Sequence, residues 1–145
     1  MTLALAGLLL LLHLFVLPWL ARRWRTVLDR SLLLTLQQRQ PERMRRIFRR
    51  AWLVRLYAPD WYIDGKEAFI CMELEEYHRA EQLYLAAIPL APEPEKSTFL
   101  ANLSVIAERL GKSEEAARLR RRLADQRPDL AELLAPPTSC SSGAA

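Results

Sequence analysis

The chain has few of the residues that build catalytic, metal-binding or phosphate-binding sites. Its 145 residues include only four glycines, two cysteines and two histidines. There is no glycine-rich loop for phosphate groups, and the two histidines are not spaced as a metal-ligand pair. No serine or cysteine is accompanied in sequence by an identifiable base. We therefore predict no catalytic residue, no metal site and no cofactor, and we expect the protein not to be an enzyme.

The two cysteines are too few and too far apart to build a stabilising framework. Cys71 lies inside a helical pattern, and Cys140 lies in the small, polar C-terminal tail. This spacing fits neither a zinc site nor a disulfide scaffold. We expect one buried thiol and one free thiol.

The N-terminal residues form a long apolar run. Residues 3–20 are apolar except for His13, and Pro18 lies near the end of the run. A helix of this length spans about 27 Å, close to the ~30 Å of a bilayer core. No basic residue precedes the run and no small-residue cleavage site precedes Arg22, which argues against a cleaved signal peptide. The pattern predicts a transmembrane signal-anchor helix over residues 1–21.

The charges after this run predict how such an anchor is oriented. Arg22, Arg23 and Arg25 follow it directly, whereas only the amino terminus precedes it. Because basic residues stay on the cytoplasmic side, the N-terminus is expected outside and the rest of the chain in the cytoplasm.

Charge is distributed unevenly along the chain. Residues 22–58 contain eleven arginines against two carboxylates, a net charge of +9, whereas the whole chain carries +4. A solvated helix face is seldom so one-signed, so we expect these arginines to contact anionic lipid, an acidic protein partner or RNA, in that order of preference. The arginines assigned to this contact are Arg22, Arg23, Arg25, Arg43, Arg45, Arg46, Arg49 and Arg50.

A twelve-residue spacing recurs through the C-terminal half. Ala80 precedes Pro92, and Ala116 precedes Pro128, by twelve residues each. Twelve residues before each alanine is another small residue, Ala68 or Ser104, which would let paired helices approach closely. Further apolar residues at spacings of three and four predict helices on both sides of each turn. These are Phe99, Leu100, Leu103, Ile106, Ala107 and Leu110 in the later pair.

This arrangement resembles the tetratricopeptide (TPR) repeat, a helix–turn–helix unit of 34 residues. The later copy carries Asn102-Leu103, Gly111, Glu115-Ala116 and Pro128 at the intervals of that family. We assign TPR-like repeats to residues 60–94 and 95–135, the latter ending in a short capping helix. The arginine-rich residues 22–59 form a degenerate third pair, and residues 136–145 form a disordered tail. The residues of this pair expected to form apolar stripes are Trp24, Val27, Leu28, Ser31, Leu32, Thr35 and Leu36 in its first helix, and Met44, Ile47, Phe48, Ala51, Trp52 and Leu56 in its second.

The predicted fold is therefore all-α, with a transmembrane helix followed by a short TPR-like solenoid of about three antiparallel helix pairs. The resemblance implies a groove that binds a segment of a partner protein. Its matching positions are Tyr62, Phe69, Met72, Glu73, Val105 and Arg109.

We interpret the chain as a membrane-anchored adaptor or assembly factor with protein partners and no small-molecule substrate. Nucleic acid ranks last among the partners. Two alternatives stay open: an accessory subunit of a larger membrane complex, and a secreted or periplasmic TPR module if the leader is cleaved.

Overall fold

The computed structural model describes residue 10 and residues 12–128, and every regular element in this part is helical, which confirms the all-α prediction. A π-helical turn at Leu12–Val16 leads into α1 (Leu17–Gln37), α2 (Pro41–Arg50), α3 (Trp52–Tyr57), α4 (Asp60–Glu73) and α5 (Tyr77–Ala87). A 3-10 turn at Ile88–Leu90 precedes α6 (Glu93–Arg109) and α7 (Ser113–Gln126). The chain divides between Leu90 and Ala91 into two compact units, and each is described by itself.

The prediction of a single-pass membrane protein is wrong for the part of the chain that the structure describes. Much of the predicted anchor, residues 1–9 and 11, lies outside the described residues. The helix that continues the leader, α1, carries Arg22, Arg23, Arg25, Asp29 and Arg30. Among residues 10 and 12–128, no helix combines the length and the apolar character that crossing a bilayer requires. The transmembrane helix and the orientation derived from it are therefore withdrawn.

Three helix hairpins share one turn geometry. Arg39, Glu75 and Gly111 follow each other at intervals of 36 residues and adopt positive φ angles of 53°, 62° and 74°. The N–H of the next residue donates to the carbonyl five residues back, with N···O distances of 3.2 Å (Gln40), 2.9 Å (Glu76) and 2.8 Å (Lys112). This is the Schellman motif, which ends a helix and turns the chain back. The hairpins are α1–α2, α4–α5 and α6–α7.

One hydrophobic core cluster of the first unit is formed by α1 to α4. Its buried residues are Leu28, Leu32, Met44, Phe48, Val54, Tyr62 and Ile70. Because α2 stops at Arg50 and Ala51 has a non-helical ψ of 47°, the helical phase changes before α3. Val54 is therefore buried, whereas Trp52 and Leu56, predicted to face inward, are 67% and 65% exposed.

The phase of α1 also differs from the predicted one near its start. Leu28, Leu32 and Thr35 are buried as expected, but Trp24 and Val27 lie on the exposed side.

The second unit contains the α6–α7 hairpin. The predicted stripe on α6 is buried except for the half-buried Leu110, and Ala116 and Leu123 cover it from α7. Ser113 is the first residue of α7, and Lys112 takes the N-cap position without a side-chain hydrogen bond. The predicted capping helix after Pro128 and the tail at 136–145 lie outside the described residues.

Candidate functional site

Five of the ten residues of α2 are arginines, and four of them point away from the core. Arg43, Arg46, Arg49 and Arg50 are exposed and form no ion pair with any described residue. Arg43, Arg46 and Arg50 surround the half-buried Ile47 in a shallow cavity of about 260 Å³. We call these four arginines and Ile47 the basic surface.

The basic surface is exposed because α2 is strongly amphipathic. Met44 and Phe48 fill the core, one turn apart, so Arg43, Arg46, Arg49 and Arg50 on the other faces of the helix project outward. Pro41 begins the helix, where its missing N–H costs nothing. Arg49 and Arg50 lie in the last turn, where positive charge is favoured by the helix dipole.

Arg45, on the same helix, is used inside the unit. Its guanidinium contacts the Glu76 carboxylate at 2.6 Å and ties α2 to the α4–α5 turn. The Arg45 guanidinium beside it holds the pKa of Glu76 below its usual range. Arg79 contacts the Glu67 carboxylate at 2.6 Å, and its guanidinium also lies 3.9 Å from the Glu76 carboxylate. Arg45 is therefore a structural residue, although the sequence assigned it to a partner contact.

Arg25 also contacts a core residue of the first unit. Its guanidinium carbon lies 4.2 Å from the centre of the Tyr62 ring, in cation–π contact. Arg22 and Arg23 are exposed, and Arg23 lies 5.9 Å from the centre of the Trp19 ring. Of the eight predicted contact arginines, six thus remain exposed, and four of those belong to the basic surface.

The residues predicted to line a partner groove differ in their exposure. Tyr62 is 5% exposed and belongs to the core of the first unit, so its ring cannot receive an incoming segment. Phe69 is partly buried against the same core, and Met72 and Glu73 are half-buried near the end of α4. Burial raises the pKa of Glu73.

The two remaining groove residues, Val105 and Arg109, lie on α6 in the second unit. Val105 is half-buried and Arg109 is exposed. Residues predicted to line one groove therefore belong to two units.

A second concave surface was not predicted from the sequence. Trp52, Leu56, Ile63, Ala86 and Leu90 line a shallow, open cavity of about 630 Å³, with Arg55, Asp60 and Asp64 at its edge. We call it the α3–α5 groove. Sequence periodicity counted Trp52 and Leu56 as core, and neither proline nor glycine marks the helix break at Ala51 that turns them outward.

The described residues contain no group of three histidine, cysteine or acidic side chains placed to hold a metal ion. Cys71 is buried, and burial raises the pKa of its thiol, which disfavours the reactive thiolate.

Comparisons of the chain with protein-family models, curated proteins and solved structures found no match. The resemblance to TPR repeats stays a prediction from the residues that carry it.

Proposed function

We propose that this protein is an adaptor without catalytic activity, and that its basic surface binds an acidic segment of a partner protein. The observation that carries the proposal is the set of four exposed arginines on a helix of ten residues, none of which forms an ion pair with a described residue. Such a cluster of like charges attracts groups of opposite charge, and guanidinium groups bind carboxylates through paired hydrogen bonds.

The chemistry of the cavity favours protein over nucleic acid. The side chains around it are those of Arg43, Arg46, Ile47 and Arg50, with no aromatic ring among them. Non-specific binding of single-stranded nucleic acid combines basic grooves with aromatic rings on which bases stack. An acidic peptide, by contrast, can pair its carboxylates with the arginines and place an apolar residue against Ile47.

The helix hairpins support an adaptor role. Helical repeats present side chains of successive hairpins on extended surfaces that bind other proteins. The recurrence of one turn geometry at Arg39, Glu75 and Gly111 supports a comparable arrangement of hairpins in this chain.

The proposal is tested with a fluorescein-labelled peptide rich in glutamate and leucine, measured by fluorescence polarisation on the full chain. We expect Arg43→Glu/Arg46→Glu/Arg50→Glu to weaken binding by more than about a hundredfold, since each buried or paired charge contact is worth roughly 1–2 kcal/mol. Affinity should also fall as salt is raised. The matched control is Arg118→Glu/Arg121→Glu/Arg122→Glu on α7, which changes the net charge equally.

Two further probes decide between partner classes. Single-stranded RNA and anionic vesicles are titrated under the same conditions. Tighter binding of either one, lost in the α2 variant and kept in the α7 variant, would replace the acidic protein as the partner. Equal loss of peptide binding in both triple variants would show that only net charge matters, and would overturn the proposal.

A further inference from the structure

The α3–α5 groove combines an unusual amount of exposed apolar surface with a concave shape. Trp52, Leu56 and Leu90 are 67%, 65% and 58% exposed, and all three face the same cavity. Single exposed apolar residues are common on protein surfaces, but a cluster of large ones around a concavity marks interaction sites. Tryptophan in particular is enriched among the residues that contribute most to binding between proteins.

The edge of the groove carries negative charge. Asp60 and Asp64 lie one helical turn apart in α4, and neither forms an ion pair with a described residue. Burial, followed by the charges of Asp60 and Glu67, raises the pKa of Asp64. A cation placed beside these carboxylates would relieve their mutual repulsion.

The one basic residue at the edge is Arg55, and it also faces the ring of a core residue. Its guanidinium carbon lies 5.8 Å from the centre of the Phe48 ring, and it also lines the neighbouring cavity beside Arg45 and Arg79. The α4 side of the groove therefore keeps its negative charge.

We infer that the α3–α5 groove binds an amphipathic segment of a partner protein that carries apolar residues at helical spacing and a lysine or arginine beside them. The apolar residues pack against Trp52, Leu56 and Leu90, and the cation pairs with Asp60 and Asp64. This partner is opposite in charge to the one bound by the basic surface. The inference rests on a different set of residues and does not depend on the proposed function.

The test begins with short random peptides displayed on phage and selected on the full chain. The expected result is enrichment of peptides with apolar residues three or four positions apart and at least one lysine or arginine. Absence of such peptides from the selected pool would overturn the inference. Acidic peptides selected by the basic surface are recognised because they no longer bind Arg43→Glu/Arg46→Glu/Arg50→Glu.

A selected peptide is then labelled with fluorescein and titrated with purified variants. Leu56→Asp and Leu90→Asp should each weaken binding by about tenfold or more, as expected for central contact residues. Leu85→Asp is the matched control because Leu85 is 57% exposed and does not line the groove. Its affinity should stay within about twofold of wild type, the range of an uninvolved surface position.

The charge contribution is tested with Asp60→Asn/Asp64→Asn. We expect this variant to bind the basic peptide several-fold more weakly, with the largest difference at low salt. All the replaced side chains except Asp64 are exposed, so the variants should fold, which circular dichroism and thermal unfolding check. Equal weakening by Leu85→Asp would contradict the assignment of the groove.

Self-association is the competing occupant. Sedimentation velocity of the full chain over a range of concentrations detects it. An oligomer that Leu56→Asp dissociates and Leu85→Asp leaves intact would show that a second copy fills the groove, and would overturn the inference.

Discussion

Tyr62 connects the core of the first unit to a set of charged side chains on α1 and α4. Its hydroxyl donates to the Asp29 carboxylate at 2.9 Å, and Lys66 contacts the same carboxylate at 2.8 Å. Arg25 lies over the ring. Burial, reinforced by the hydrogen bond to Asp29, raises the pKa of the Tyr62 phenol above its usual range. The phenol is therefore a neutral donor at all moderate pH values.

Tyr62→Phe should reduce the free energy of unfolding by about 1–2 kcal/mol, because it removes a hydrogen bond to an ionised carboxylate while leaving the ring packed. Urea unfolding followed by circular dichroism measures this. Tyr77→Phe is the matched control, since the Tyr77 hydroxyl has no hydrogen-bond partner among the described residues. If both variants lost the same stability, the bond to Asp29 would contribute nothing.

Sequence analysis succeeded with residues whose environment is set locally. The four small residues at twelve-residue spacing, Ala68, Ala80, Ser104 and Ala116, are all at most 1% exposed. Sequence analysis could not distinguish the arginines that form contacts inside the first unit from those that form no ion pair with a described residue. Arg45 pairs with Glu76, 31 positions away, and such distant partners leave no periodic signal.

At the scale of elements, the three turns share a backbone geometry but not a residue type. Gly111 adopts its positive φ without strain, whereas Arg39 and Glu75 carry side chains in the same left-handed region. A side chain there costs about 1–2 kcal/mol relative to ordinary helical geometry. The glycine was visible as a turn signal in the sequence, and the other two positions were not.

We expect Arg39→Gly and Glu75→Gly each to raise the free energy of unfolding by about 0.5–1 kcal/mol, because the strain removed exceeds the added chain entropy. Gly111→Ala should lower it by about 1 kcal/mol. A Cβ at Gly111 would meet no atom within 4 Å, so this loss reports backbone conformation alone. Chemical denaturation of each variant measures all three effects.

Gln38→Gly is the control for these turns. Gln38 precedes Arg39 and has a helical φ of −80°, so glycine there relieves no strain and should lower stability. Stabilisation by Gln38→Gly equal to that by Arg39→Gly would contradict the role of the left-handed residue.

The element boundaries show why the α3–α5 groove was missed. Helix existence followed from apolar periodicity, and the hairpins from proline and small-residue spacing. The break at Ala51 has no such mark, yet it changes the phase of six following residues and exposes Trp52 and Leu56. The exposure of these two side chains is offset by the burial of Val54, which packs in a core that α1 and α4 also form.

On the scale of the whole molecule, the charge asymmetry lies within the first unit. Residues 22–58 carry +9, whereas residues 59–90 contain two basic and seven acidic residues and carry −5. Residues 91–145 contain eight of each sign and are neutral. Contacts such as Arg45–Glu76 and Lys66–Asp29 join the two oppositely charged parts. The first unit therefore presents surfaces of both signs, which is what an adaptor for two unlike partners needs.

If both surfaces bind as proposed, a substitution in one surface should weaken binding of its own peptide and not of the other. The basic surface and the α3–α5 groove share no residue. Arg43→Glu/Arg46→Glu/Arg50→Glu should abolish binding of the acidic peptide and leave the affinity for the basic peptide within about twofold of wild type. Leu56→Asp should weaken binding of the basic peptide and leave the affinity for the acidic peptide within about twofold of wild type. Fluorescence polarisation with each labelled peptide alone measures both, which prevents the peptides from binding each other.

The pattern of losses distinguishes two independent surfaces from one. Loss of both activities in either variant, with the fold intact by circular dichroism, would mean that the peptides use a common site. Gain of affinity for the basic peptide in the arginine variant would show long-range electrostatic coupling across the unit. Raising the salt should then remove the gain, because exposed charges further apart than about 10 Å are screened at 0.1 M. A difference that persists at high salt would instead require a change in the packing of α2 on α4, the contact that joins the helix of the basic surface to the helix at the edge of the groove.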